Sequence, residues 1–193
     1  MTTQKIRLGI IGANVGYGWT PRAHAPAIAN LPDIELTAVC TAHEETARES
    51  AEKFGAKMAF HNHMEMLEKA DLDVVAVVVR VPIHHQLAMD VLRAGKHVFL
   101  EKPIALDLRQ SGRMVAEAKR RQLRLMVAHV LRYFPEFRLV KDLVDGGEHG
   151  RVLAADQGRE DVDQPLAIRL DQFPKRRLVA VLHAEHPLHV RVV

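Results

Sequence analysis

The chain has 193 residues, 48% hydrophobic and 26% charged, which excludes wholesale disorder and the collagen-like and low-complexity classes. Its 27 Lys and Arg against 24 Asp and Glu leave a formal charge of +3, too balanced for a nucleic-acid partner to be expected. A single cysteine, Cys40, excludes an intramolecular disulfide framework and an all-cysteine zinc site, and no apolar run approaches the roughly 18 residues of a membrane span.

The segment Met1 to Arg7 is polar and lacks the apolar core of a signal peptide, so a soluble cytoplasmic protein without a membrane partner is expected. Ile6 to Ile11 reads as a buried strand ending at Gly12. A glycine-rich loop follows, Gly12-Ala13-Asn14-Val15-Gly16-Tyr17-Gly18-Trp19, and then Thr20-Pro21 reads as a helix start, with Thr20 as N-cap and Pro21 at the first helical position. That helix ends before Pro32.

Further along come strands at Ile34 to Cys40, Met58 to Phe60, Val74 to Val79, His97 to Leu100 and Leu125 to Ala128. Between them lie helices at Glu44 to Phe54, Met64 to Lys69, Pro82 to Ala94 and Asp107 to Arg121. On the last two, Ile83, Leu87, Val91 and Leu92, then Met114, Val115 and Ala118, mark the buried faces. The valine-rich run at Val74 fits a strand covered on both faces.

Alternation of this kind predicts an α/β fold, a doubly wound, Rossmann-like parallel sheet of six strands over residues 1–130. Residues 131–193 read as the truncated start of a second, α+β domain. It opens with an amphipathic helix from Pro135 to Val144 and a strand at Arg151 to Ala155, and is irregular beyond about residue 158 except for a strand at Leu178 to Leu182.

A strand, a glycine turn and a helix start make an anion site, because backbone N–H groups and the positive helix end face one point. Here Gly12 ends the strand, Asn14 stands at the second glycine position, where asparagine tolerates positive φ, and Gly16 and Gly18 follow in a lengthened loop. With six strands behind it, the loop predicts dinucleotide binding. Where an acidic residue at the end of the second strand would hold a ribose 2′-hydroxyl, this chain has Thr41. The missing carboxylate leaves NADP at least as well suited as NAD, with His43 or Arg48 as candidates to assist a phosphate. The His61/His63 and His183/His186/His189 spacings do not suggest a metal site, and Cys40 reads as a buried strand residue.

The run Ala94-Gly95-Lys96-His97-Val98 and then Glu101-Lys102-Pro103 resembles the A-G-K-H-V…E-K-P signature of the Gfo/Idh/MocA oxidoreductases. The resemblance covers about residues 5 to 155 and takes in His24. The long loop to Trp19, with Val79-Arg80-Val81-Pro82 and His84, is similar to the branch that holds the yeast galactose-pathway repressor and its bacterial relatives. The resemblance implies that Lys102 is catalytic, polarising a substrate carbinol oxygen. It also implies that Glu101 anchors the nicotinamide ribose, that Pro103 fixes the turn, and that Val81, Pro82 and His84 line the cleft. The cofactor-binding set is then Gly12, Ala13, Asn14, Gly18, Trp19, Thr41, Val81, Pro82, His84, Glu101, Lys102 and Pro103.

The implied function is that of the NAD- or NADP-binding domain of an oxidoreductase that moves hydride between nicotinamide and a carbinol of a small sugar or polyol, with catalysis expected to be incomplete in this chain. The alternative is a dinucleotide-sensing module without catalysis. The family's second-domain acid/base, a histidine after a glycine-rich stretch, has no match here, and about 60 residues after His129 are too few for its sheet. A truncation, such as a frameshift near Gly158, is therefore expected, with a naturally short relative as the rival account. A homo-oligomer is implied only through the family's second-domain sheet.

Overall fold

A computed structural model describes residues 5–145 and three further strand segments, Leu166–Arg169, Leu178–Leu182 and His189–Val192. The chain divides into two compact units, Met1–His129 and Val130–Val193. The strand expected at Arg151 to Ala155 and the break expected near Gly158 lie outside the described residues.

In the first unit the strands are β1 (Ile6–Ile11), β2 (Ile34–Cys40), β3 (Met58–Phe60), β4 (Val74–Val77), β5 (His97–Leu100) and β6 (Leu125–Val127). The helices are α1 (Ala25–Ala29), α2 (Glu44–Phe54), α3 (His63–Lys69), α4 (His84–Arg93) and α5 (Leu108–Arg120). All strands pair in parallel, in the order β3-β2-β1-β4-β5-β6. This is the six-stranded doubly wound sheet expected from the alternation of elements.

Successive side chains of a strand face opposite sides, and the core follows that rule. Val75 and Val77 of β4 pack with Met66 and Leu67 of α3, Leu87, Val91 and Leu92 of α4, and Met114 and Ala118 of α5. On the other face Ala76 and Val78 pack with Leu8, Ile10 and Val39, covered by Ile28 of α1 and Ala51 and Phe54 of α2. Local chemistry sets the helix ends. Gly55 closes α2 in the left-handed conformation at φ 73°. Asn62 accepts from the Met64 and Glu65 N–H groups at the start of α3, and Asp107 accepts from the Gln110 N–H at 2.7 Å at the start of α5.

Three expected details differ. β4 stops at Val77, since only Val74 to Val77 have partners on both neighbouring strands. The chain then turns through a 3-10 segment, Val81–Ile83, before α4 begins. As a result Ile83 lies off the core at 46% exposure; on α5, Val115, one position round from buried Met114, is 40% exposed.

The second unit has a 3-10 turn, Val130–Tyr133, and helix α6 (Pro135–Asp145). It also has an antiparallel sheet of β7 (Leu166–Arg169), β8 (Leu178–Leu182) and β9 (His189–Val192), with β8 central. β8 matches the expected strand. β7 and β9 correct the expectation of irregular chain, because four-residue segments are too short for a period of two to stand out.

Candidate functional site

The connections leave β1 and β4 in opposite directions, so a crevice opens at the carboxyl ends of these neighbouring strands. Gly12 forms its lip. Its N–H donates to the Cys40 carbonyl at 2.9 Å, and its φ is +92°. A Cβ there would lie 2.1 Å from the Val78 carbonyl oxygen and 2.8 Å from Val79 Cγ1. Two strand ends therefore approach as closely as backbone allows, and glycine is required. Ala13, fully buried beside it, also donates to the Cys40 carbonyl, at 3.3 Å.

The rest of the loop departs from expectation in an instructive way. Asn14 does not adopt positive φ; among the described residues Gln122 is the non-glycine residue that does. Instead the Asn14 Oδ1 accepts from the N–H groups of Gly16 at 2.8 Å and Tyr17 at 3.2 Å, so its side chain shapes the loop. Gly18 supplies a positive φ of 86° in open space.

Thr20 is not an N-cap. Its buried hydroxyl donates to the Gly12 carbonyl at 3.2 Å and stitches the loop back to β1. The chain then winds as one π turn, Thr20–His24, with the Trp19 carbonyl accepting from Ala23 and His24.

That wide turn carries His24 to the end of β5. Its Nε2 lies 2.8 Å from Glu101 Oε1, and its ring meets Phe99 edge to face at 5.7 Å. Glu101 is buried at 9% exposure. Lys102 is exposed, with Nζ 6.0 Å from the centroid of the half-exposed Trp19 ring. The Lys102–Pro103 peptide bond is cis.

His84 is fully buried. Its Nδ1 is 3.0 Å from the Pro103 carbonyl oxygen and its Nε2 is 3.0 Å from that of Val79. It joins the loop after β4 to the turn after β5 and does not face the cleft. Val81 and Pro82, which are partly and largely exposed, form the 3-10 segment between them.

A cavity of about 480 Å³ opens beyond Gly12, lined in part by Asn14, Tyr17, Thr41, His43, His61 and Arg80. Of the residues expected to hold a dinucleotide, Gly12, Asn14 and Thr41 thus share one cavity. Trp19, Glu101 and Lys102 gather with His24 at the end of β5. Thr41 is buried, and its hydroxyl is engaged with the His43 carbonyl at 2.9 Å and the Thr46 hydroxyl at 2.6 Å. Arg48 is paired with Glu44 on the outer surface of α2 and is absent from the lining.

Arg80 and His61 are lining residues that the sequence did not single out for this role. Their spacing carries no signal, because only the strand order brings their loops together. Burial raises the Cys40 thiol to about 11, so it stays protonated. Among the described residues no group of three His, Cys, Asp or Glu could hold a metal ion, and no helix is long and apolar enough to cross a membrane.

Comparison with known proteins gives the same picture. Residues 6–129 match the family model GFO_IDH_MocA, described as an oxidoreductase family with an NAD-binding Rossmann fold. Among curated proteins, a dTDP-3,4-didehydro-2,6-dideoxy-alpha-D-glucose 3-reductase of Actinomadura kijaniata is 34% identical over 76% of this chain and 43% of its own length. A myo-inositol 2-dehydrogenase of Thermotoga maritima is 31% identical over 76% of this chain and 42% of its own.

Among solved structures, a 3-ketoreductase from Actinomadura kijaniata in complex with TDP-benzene and NADP superposes with a TM-score of 0.69 at 33% identity, covering 77% of this chain and 46% of that one. This chain therefore spans less than half the length of the relatives it matches. It belongs to the Gfo/Idh/MocA oxidoreductase family, and residues 6–129 form the family's NAD-binding Rossmann domain.

Proposed function

We propose that this chain holds a nicotinamide dinucleotide across the β1–β4 crevice and provides the cofactor-binding part of an oxidoreductase acting on the carbinol of a small sugar or polyol. The observation that carries the reading is the contact at Gly12, where a Cβ would strike the Val78 carbonyl. A lip this thin, at the carboxyl end of β1, fits the close backbone approach a pyrophosphate needs.

When bound, the nicotinamide supplies the hydride acceptor or donor. Every other role belongs to the chain. The Glu101 carboxylate, oriented by His24, offers an acceptor for ribose hydroxyls. The Lys102 ammonium, free of any ion pair among the described residues, is available to donate to a substrate oxygen and stabilise negative charge there. The Trp19 ring lies beside that side chain, with its centroid 6.0 Å from Nζ. The sugar and inositol chemistry named for the relatives supports a polyhydroxylated substrate.

The test pairs calorimetric titration of NADP and NAD with a dehydrogenase assay over a panel of sugars and polyols. Saturable binding of one dinucleotide per chain is expected. Lys102→Met should keep that binding within about threefold while abolishing turnover. Binding with no turnover across the panel would leave the chain a cofactor-binding part, or a dinucleotide-sensing module, with no catalysis of its own. No binding by a cooperatively folded protein would sink the reading.

A further inference from the structure

We infer that the cavity beyond Gly12 is built for a ribose phosphomonoester, so that this chain takes NADP in preference to NAD, with Arg80 and His43 as the selecting residues. The inference rests on the dinucleotide reading above and adds which dinucleotide is held and by what.

The groups of the lining that can carry charge at neutral pH are of one kind. Four basic side chains face the cavity, those of Arg80, His43, His61 and His63, and no carboxylate is among its described lining residues. They come from three strand ends, since His43 follows β2, His61 and His63 follow β3, and Arg80 follows β4. The sheet order β3-β2-β1-β4 is what brings them together.

Not all four are available. The His63 Nε2 is 3.2 Å from Asp90 Oδ2 and is accounted for there. Arg80 is exposed and forms no ion pair among the described residues, so a fixed positive charge stands at the mouth of the cavity. His43 opens α2 as its N-cap without any side-chain capping bond, which leaves its ring free. The carboxylates of the first turn of α2, Glu44 and Glu45, are outside the lining, and Glu44 is paired with Arg48.

The β2 end makes the opposite preference hard to satisfy. A 2′-hydroxyl is normally held by a carboxylate at this position. Here Thr41 occupies it, with its hydroxyl already engaged inside the protein. A ribose carrying a free hydroxyl finds no acidic acceptor, whereas a phosphomonoester of roughly −1.5 to −2 charge finds an arginine and no repelling carboxylate.

The test is titration of the whole chain with NADP, NAD and inorganic phosphate, repeated for Arg80→Ala and His43→Asp. NADP should bind at least about tenfold more tightly than NAD, and inorganic phosphate should compete only weakly. Arg80→Ala should bring the two affinities to within about threefold of each other. His43→Asp places a carboxylate at the cavity and a better cap on α2. It should fold at least as well as the parent, judged by thermal unfolding, and reverse the preference toward NAD.

Equal or tighter binding of NAD by the parent chain overturns this inference alone and leaves the dinucleotide reading standing. So does an Arg80→Ala variant that weakens both ligands equally. Failure of both dinucleotides to bind overturns that reading and this inference with it.

Discussion

Both ring nitrogens of His84 point at carbonyl oxygens, those of Val79 and Pro103, each 3.0 Å away. Carbonyls only accept, and which ring nitrogen carries the donor depends on the tautomer, so this fully buried ring stands between two acceptors that it bridges. No aliphatic side chain offers a donor there, whereas the glutamine amide does. His84→Ala would remove the ring that bridges these carbonyls and open a void between the loop after β4 and the turn that carries Lys102. A loss of roughly 3 kcal/mol is expected, read from urea unfolding as a lower midpoint with unchanged slope. His84→Gln should recover part of it. A loss under about 1 kcal/mol for the alanine variant would show that the two loops do not depend on this residue.

The resemblance named His84 as a cleft residue. Its internal role was not legible, because the carbonyls it joins lie 5 and 19 residues away. Asn14 and Thr20 teach the same lesson from the glycine loop. Their residue types pointed to backbone tolerance and helix capping, yet both side chains hydrogen-bond within the loop itself.

At the scale of elements, the glycines of that loop separate two physical demands. Gly12 meets both, a positive φ of 92° and a neighbouring carbonyl that leaves no room for a Cβ, while Gly18 meets only the first, at φ 86° in open space. Gly12→Ala should therefore cost on the order of 3 kcal/mol and forfeit dinucleotide binding, because β1 and β4 must part at the crevice. Gly18→Ala should cost about 1 kcal/mol and leave binding measurable. Thermal unfolding with titration of both variants checks the pair, and similar effects of the two would show that crowding at Gly12 is relieved elsewhere.

Much of the surrounding framework was legible. The limits of β2, α2, β3 and β5 agree with those read from hydrophobic runs and their stop residues, since in a sheet covered on both faces each buried strand is a continuous apolar run. What escaped detection depends on pairing across distance. Arg80 and His61 face one cavity through strand order alone, and β7 and β9 are four-residue strands defined by hydrogen bonds to β8.

At the scale of the whole first unit, stability and the candidate site occupy opposite ends of one sheet. Asp73 precedes β4 at its amino end and clamps Arg7 of β1. Its Oδ2 accepts from the Arg7 backbone N–H at 2.8 Å and from Nε at 3.0 Å, while Oδ1 accepts from the guanidinium at 2.6 Å. The Asp73 N–H donates back to the Arg7 carbonyl at 2.9 Å. Hydrogen bonding to Arg7 holds the Asp73 carboxyl at about 2, below its usual 3.8.

A carboxyl depressed on folding contributes stability that is complete above its unfolded value near 4 and is lost as the pH falls through 2. The Asp73 side chain is 37% exposed, so solvent screening reduces the contribution to about 1 kcal/mol. Asp73→Asn should lower stability by that amount at pH 7, and its unfolding free energy should converge with that of the parent between about pH 4 and 2.

Five residue steps along β1 lead from Arg7 of this clamp to Gly12, roughly 16 Å of extended chain, about twice the screening length of roughly 8 Å in physiological salt. The same variant should therefore bind dinucleotide within about twofold of the parent. A selective loss of affinity in Asp73→Asn would mean that the amino end of the sheet controls the spacing of the crevice at the other. A pH-independent stability difference would mean that the clamp acts through packing and not through charge.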